Sequence, residues 1–168
     1  MKNSKRSLTS RQGFTIVELL VYVGILVVFI YMLTNMFTAV IDMQLESEST
    51  SAVVQDSRYI LSRFNYDIKR ASSITTPSTL GSQSSTLVLR IGSSDYTYDL
   101  VNGNLVLTGA SGTGVLNSTG THVSGVSFRR YGNVNGKHSV RIAFTLTSTT
   151  DRISGPEVQN FQTTVGLQ

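Results

Sequence analysis

The chain has 168 residues, enough for one small domain beside a membrane anchor. It contains no cysteine, which excludes disulfides, thiol catalysis and thiolate metal sites. The formal net charge of +4 would suit a nucleic-acid binder, but four of the fourteen basic residues fall within residues 1–13, which hold no acid. The ten basic residues that remain are balanced by ten acidic ones, so the rest of the chain is formally neutral.

Residues 1–13 form a short basic leader in front of an apolar run. Its four cations are Lys2, Lys5, Arg6 and Arg11. Positive charge beside a first apolar segment holds that side in the cytoplasm, so the chain beyond about Asp42 is expected across the membrane. We therefore predict a single-pass protein of the cytoplasmic (inner) membrane with its C-terminal domain outside the cytoplasm. No small-residue cleavage site follows the apolar run, so this run is expected to stay with the mature protein.

Residues 14–41 are predicted to form a transmembrane and assembly helix. Glu18 is their only side chain that is charged at neutral pH. The run is longer than the roughly 20 apolar residues that a membrane helix needs, and it has neither a proline nor a polar stripe. A carboxylate so close to the start of an apolar run is costly in lipid and indicates a partner. The alternative is that Glu18 snorkels to the headgroups of an uncut signal anchor.

Residues 11–21, RQGFTIVELLV, resemble the cleavage and methylation segment of type IV prepilins and type II secretion pseudopilins. The resemblance implies that a prepilin peptidase cuts after Gly13 and methylates the new terminal amine of Phe14. It also implies that Glu18 pairs with the amine of a neighbouring subunit, which would offset the cost of burying either charge alone. The implied partners are the peptidase and other pilins or pseudopilins, joined through the N-terminal helix.

Residues 42–76 are predicted to extend the helix beyond the membrane. The stretch 42–51 is polar, and we expect any thinning or bend of the helix there because serine and threonine are modest helix formers. An amphipathic pattern follows, and Pro77 ends the helix. The polar residues expected mostly off the apolar face are Gln55, Asp56, Ser57, Arg63, Asp67, Lys69 and Arg70. The apolar face repeats at helical spacing through Val53, Val54, Ile60, Leu61, Phe64, Ile68 and Ala71.

Residues 77–168 are predicted to form an antiparallel β domain. Its strands are expected at 86–91, 96–101, 104–108, 122–131, 139–148 and 158–165. Asn102-Gly103 predicts a tight hairpin turn, and 109–114 is predicted to be a flexible loop. Alternation in 139–148 predicts a half-buried strand whose apolar face covers the amphipathic helix. The expected fold class is α+β: a long helix, with a membrane half and an amphipathic half, packed on an antiparallel sheet as in pilins.

The remaining polar residues predict no cofactor. His122 and His138 lack metal-ligand spacing and are expected to face solvent from strands. Asp95 and Asp99 share a strand face, where they are expected to solvate the sheet rather than act as an acid–base pair.

Two further kinds of ligand site are not predicted. Gly109, Gly112 and Gly114 are not followed by the lysine of a phosphate-binding loop. Several pseudopilins bind calcium, but Asp151 and Glu157 are too sparse to predict a calcium site here.

Arg129, Arg130 and Tyr131 are the best candidates for contact with DNA, because they place two cations beside an aromatic ring. A DNA-binding protein usually shows a wider basic surface than this. Nucleic acid is therefore not the partner that we expect.

The sequence predicts a structural subunit and not an enzyme. It most resembles the J-type minor pseudopilins of type II secretion and related minor pilins, through residues 67–71 and 98–105. The lack of a C-terminal cystine departs from many major pilins and favours a minor subunit. The expected destination is a type IV pilus or a type II secretion pseudopilus, at the cell surface or in the periplasm. The alternatives are a competence-type minor pilin that binds DNA and a membrane-tethered binding protein that never assembles.

Overall fold

A computed structural model describes residues 13–168, in which one helix is followed by nine strands. The leader cations Lys2, Lys5, Arg6 and Arg11 lie outside the described residues. The chain divides into two compact units, the first ending at Ile41 and the second running from Asp42 to Gln168. A long helix and antiparallel sheets give the α+β class that was predicted.

Helix α1 spans Ile16–Arg70. Up to Ile41 none of its side chains is buried, and its large apolar residues are exposed. The mean hydropathy of its most apolar 18-residue window is 2.7, and it is the one helix in the described part of the chain that is long and apolar enough to cross a membrane. This agrees with the predicted single membrane-spanning segment.

The helix continues through the polar stretch 42–51, where every residue is helical, so the expected thinning does not occur. It ends at Arg70, short of the predicted boundary at 76. Residues Ser73–Thr76 instead form strand β1, which pairs with a later strand. The helical hydrogen-bond pattern stops here because the backbone N–H of Ser72 donates to the carbonyl of Arg90 at 2.8 Å and not to a carbonyl of the helix. The β-branched residues after it favour the strand.

The strands build two antiparallel sheets rather than the single sheet that was predicted. The first sheet has the order β1-β3-β4-β5-β6 and the second the order β2-β7-β8-β9. After β1, the strands are β2 (Gln83–Ser84), β3 (Leu87–Ile91), β4 (Ser94–Val101), β5 (Asn104–Gly109), β6 (Gly112–Val115), β7 (Thr121–Gly132), β8 (His138–Ser148) and β9 (Val158–Gly166).

Each of the six predicted strands is present, with ends no more than two residues from the predicted ones. The predicted turn is also present, with Asn102 at φ +50° and Gly103 at φ +77°. Strands β1, β2 and β6 were missed because they are short and polar. Strand β6 replaces the predicted loop at 109–114: Gly112 turns the chain at φ +115°, and Thr113 then pairs with Thr108 of β5.

The core lies between the second half of α1 and both sheets. The ring of Phe64 is 4.6 Å from that of Tyr98 in β4 and 5.6 Å from that of Phe128 in β7, so it contacts both sheets. Phe144 of β8 closes the cluster at 6.5 Å from Phe64. The predicted apolar faces of the helix and of β8 are confirmed by the buried residues Val53, Ile60, Phe64, Ile68, Val140, Ile142, Phe144 and Leu146.

Candidate functional site

The start of α1 is fixed by a local cap. Thr15 precedes the helix, and its Oγ1 accepts the backbone N–H of Glu18 at 3.3 Å. Its carbonyl accepts the N–H of Leu19 at 3.2 Å. A threonine followed three residues later by glutamate is the sequence pattern of a capping box. The helix therefore begins just after the predicted cleavage point.

Glu18 lies in the first turn of α1, where a negative charge is stabilised by the helix dipole. One turn later, the hydroxyl of Tyr22 donates a hydrogen bond to Oε1 of Glu18 at 3.2 Å. The ring of Phe14 meets the ring of Tyr22 edge-on, with centroids 6.1 Å apart. Phe14, Glu18 and Tyr22 thus form one small cluster on the helix surface.

The peptide bond between Gly13 and Phe14 lies outside the helix, which begins at Ile16. Among residues 13–168, and apart from its neighbour in the chain, no heavy atom lies within 4 Å of the place where a Cβ on Gly13 would stand. The side chain of Phe14 is 75% exposed. Thr15 and Tyr22 were not singled out from the sequence, although the capping-box pattern and the four-residue spacing from Glu18 could have indicated them.

Arg130, a candidate for DNA contact, is engaged inside the second unit. One terminal nitrogen donates to the carbonyls of Ile74, Pro77 and Ser78 at 3.0, 3.2 and 2.8 Å. The other donates to Nδ1 of His138 at 2.9 Å. His138 is half-buried and its Nδ1 is held by Arg130, so it is not the solvent-facing residue that was predicted. Arg130 therefore holds the segment after β1 against β7.

Arg129 lies next to Arg130 in β7, so the two side chains leave the strand on opposite faces. Its Nε donates to the carbonyl of Gly81 at 3.0 Å, and its guanidinium group lies 5.4 Å from the centre of the Tyr131 ring. The three candidates therefore do not form one basic surface.

The other acidic candidates are also separate from one another. Asp95 is exposed and pairs with Arg90 at 3.2 Å, while Asp99 accepts a hydrogen bond from Thr86 at 3.1 Å. Glu157 pairs with Arg152 at 3.2 Å. Over residues 13–168, no group of three or more histidine, cysteine or acidic side chains is placed to hold a metal ion.

Asp67 is fully buried, contrary to the expectation that it lies off the packed face of the helix. Its Oδ2 accepts the hydroxyl of Tyr98 at 2.5 Å and Nε of Arg63 at 2.8 Å. Burial, together with the hydrogen bond to Asp67, raises the pKa of Tyr98 above its ordinary value of 10.0. Through these contacts Asp67 anchors α1 to the first sheet.

Asp56 and Ser57 are also buried where the sequence predicted exposed side chains. Oδ2 of Asp56 accepts the backbone N–H of Ser118 at 2.9 Å, the Ser118 hydroxyl at 2.8 Å and the Thr121 hydroxyl at 2.5 Å. Ser57 turns its hydroxyl back to the carbonyl of Val54 at 2.8 Å. Asp56 thus anchors α1 to the start of β7.

No protein-family model, curated protein or solved structure matches this chain. The function of the chain is therefore inferred from its own residues. Two features stand out: a lone carboxylate in an uncovered apolar helix, and a second unit whose own polar groups are used to hold it together.

Proposed function

We propose that the chain is a minor pilin or pseudopilin, a structural subunit that a prepilin peptidase processes and that assembles into a type IV pilus or a type II secretion pseudopilus. The observation that carries this proposal is the placement of Glu18. It is the only charged side chain of residues 14–41, and it lies one helical turn after Phe14 on an exposed apolar surface.

The free energy of a buried charge explains why Glu18 needs a partner. An ionised carboxylate in a membrane segment costs several kcal/mol, and the single hydrogen bond from Tyr22 offsets only about 1.5–3 kcal/mol of it. Cleavage after Gly13 would create a cationic amine on Phe14. An amine of this kind on a neighbouring subunit would neutralise Glu18, and pairing would offset much of the cost of burying either charge alone.

The uncovered surface of residues 16–41 supports assembly in the same way. Its apolar side chains have no partner in the described part of the chain, so lipid must cover them in the membrane. Leaving lipid would cost about 25 cal/mol for every Å² of apolar surface exposed to water. In a filament, the helices of neighbouring subunits take the place of the lipid, and other proteins supply the work of extraction.

The proposal is tested by the mature N-terminus and by incorporation into the filament, in wild type and in Glu18→Ala. Mass spectrometry should find a methylated Phe14 as the first residue of both proteins. The wild type should be recovered with the filament or cross-linked to sibling subunits, whereas Glu18→Ala should stay in the membrane.

Glu48→Ala is the matched control, because Glu48 is an exposed carboxylate on the same helix but outside the apolar run. It should be processed and incorporated like the wild type. A mature chain that begins at Met1 would contradict the proposed processing and would favour the membrane-tethered binding protein that never assembles. Normal incorporation of Glu18→Ala contradicts the proposed pairing.

The engaged guanidinium group of Arg130 gives no support to a DNA-binding subunit. We therefore propose no second function.

A further inference from the structure

The turn between β8 and β9 displays an isoleucine that nothing covers. Ile153 is 90% exposed. It occupies the tip of a tight turn at residues 152–155, which the backbone N–H of Gly155 closes by donating to the carbonyl of Arg152 at 3.0 Å. Gly155 has φ +85°, a conformation that glycine adopts without strain. Single exposed apolar residues are common on proteins. Ile153 is distinguished from them by the contacts that hold its turn and by the place of the turn in the chain.

Arg152 holds the turn from inside through three contacts. Its Nε donates to the carbonyl of Gly155 at 2.8 Å, and its guanidinium group pairs with Glu157 at 3.2 Å and with Glu46 of α1. The side chain of Arg152 is only 7% exposed. The turn is therefore anchored to the helix by its buried cation, while its apolar neighbour Ile153 is held outward.

The anchor places Ile153 beside the first helical turn of the second unit. A shallow cleft is shared by the residues Asp42, Leu45, Glu46, Arg152, Ile153 and Ser154. Asp42 is bonded directly to Ile41, the last residue of the apolar run. The 28 residues of that run would span roughly 42 Å as a helix, close to the 40–45 Å of a bilayer with its headgroups. A run that spans the bilayer therefore ends with Asp42 at the outer headgroup level, and Ile153 lies beside Asp42 within the second unit.

We propose that Ile153 inserts into the outer surface of the bilayer that α1 spans, so that the turn at 152–155 is a second contact between the protein and the lipid. The inference depends on the membrane-spanning helix and not on assembly into a filament, so it holds equally for a subunit that waits in the membrane. During assembly this contact would have to be released before the subunit leaves the lipid.

The charges around the turn indicate which lipids it accepts. The charged groups near the turn are Arg152 itself, its two partners Glu46 and Glu157, Asp42 in the shared cleft and Asp151, which precedes Arg152 in the chain. This excess of negative charge is repelled by anionic headgroups. The contact is therefore apolar, and it favours zwitterionic lipid over anionic lipid.

The chain contains no tryptophan, so a single introduced tryptophan reports its own surroundings. The full-length Ile153→Trp protein is reconstituted into phosphatidylcholine vesicles whose acyl chains carry bromine near the headgroup or near the terminal methyl. Val134→Trp is the matched control. Val134 is 77% exposed in the turn between β7 and β8, at the opposite end of β8 and roughly 35 Å away along that strand.

Bromine near the headgroup should quench the tryptophan of Ile153→Trp at least about twofold more than that of Val134→Trp, because an interfacial side chain lies roughly 5–10 Å into the headgroup and acyl boundary. Bromine near the methyl end should quench it less. Replacing part of the phosphatidylcholine with phosphatidylglycerol should weaken the quenching.

Tryptophan itself favours the membrane interface, so the introduced residue could draw the turn into the lipid. A second measurement therefore uses a different probe. The chain has no cysteine, and a nitroxide on Ile153→Cys should be more accessible to oxygen and less accessible to a water-soluble nickel complex than one on Val134→Cys. Equal quenching and equal accessibility at the two positions would overturn the proposal. So would a spectral shift that follows protein concentration and not bromine, since that would indicate a second copy of the chain as the partner.

Discussion

Residues 16–41 and residues 42–70 belong to the same helix, yet the burial of their polar and apolar side chains differs. The first stretch buries nothing and exposes a nearly unbroken apolar surface. The second buries an apolar face and, with it, the carboxylates of Asp56 and Asp67. The difference indicates different surroundings for the two stretches: a protein core for the second, and for the first the membrane that its length and hydropathy would allow it to span.

The two stretches also differ in how their carboxylates are satisfied. Asp56 and Asp67 accept hydrogen bonds from residues of the sheets and the loop before β7. Glu18 accepts one from Tyr22, a residue of its own helix. In the second stretch the chain supplies the partners itself, whereas for Glu18 in the first stretch we have proposed a partner on a neighbouring subunit. The variants described next remove carboxylates of the second stretch or their partners, whose contacts the structure shows in full.

Asp67→Ala should have the largest effect, since it removes both contacts of the most deeply buried carboxylate. The hydroxyl of Tyr98 would remain buried without an acceptor, and Arg63 would lose its charge partner. We expect a loss of about 3 kcal/mol in the free energy of unfolding of the second unit. Urea unfolding of residues 42–168 measures it.

Glu48→Ala is the control for that measurement as well. Glu48 is an exposed carboxylate of the same helix, and its loss should change the free energy of unfolding by no more than about 0.5 kcal/mol. If Asp67→Ala were no less stable than Glu48→Ala, the buried contacts would not anchor the helix as described.

Asp56→Ala should have a smaller effect, about 1–3 kcal/mol, because water can replace part of what is lost. Ser118 is exposed, so its N–H and hydroxyl can turn to solvent, but the hydroxyl of Thr121 is buried and would lose its acceptor. Thr121→Val should recover part of the stability in the double variant, since it removes the unsatisfied hydroxyl. A double variant less stable than Asp56→Ala would count against this account.

The sequence predicted those parts of the fold that repeat along the chain. The apolar run, the helical spacing around Phe64 and the alternation around Phe144 each persist over several turns or residues, and each proved correct in the structure. The Asn102-Gly103 turn was predictable for a different reason, because few residues accept its positive φ angles.

What the sequence did not predict depends on pairs that are distant in the chain. Asp56 is 62 residues from Ser118, and Asp67 is 31 residues from Tyr98, so their polar character alone placed them on the solvent side. Strand β6 was read as a loop because its glycines carry no apolar pattern, and only its pairing with β5 makes it a strand. At the candidate site, Glu18 stood out because it is alone in an apolar run.

The smallest expected effect is a difference in pH dependence, and it tests whether Tyr98 is held as deeply as Asp67. Its raised pKa means that the folded chain keeps the phenolic proton where the unfolded chain, with a pKa near 10, releases it. The stabilisation is therefore complete below pH 10 and is lost as the pH rises above it, at up to about 1.4 kcal/mol per pH unit. Between pH 9 and pH 11 the wild type should lose about 1 kcal/mol more than Tyr98→Phe, which starts from a lower value because it lacks the hydrogen bond to Asp67.

Tyr59→Phe, which changes an exposed ring on α1, is the control and should follow the wild type. Parallel curves of unfolding free energy against pH for the wild type and Tyr98→Phe would mean that the phenol ionises in the folded state. The contact between Tyr98 and Asp67 would then be more accessible to water than the structure indicates.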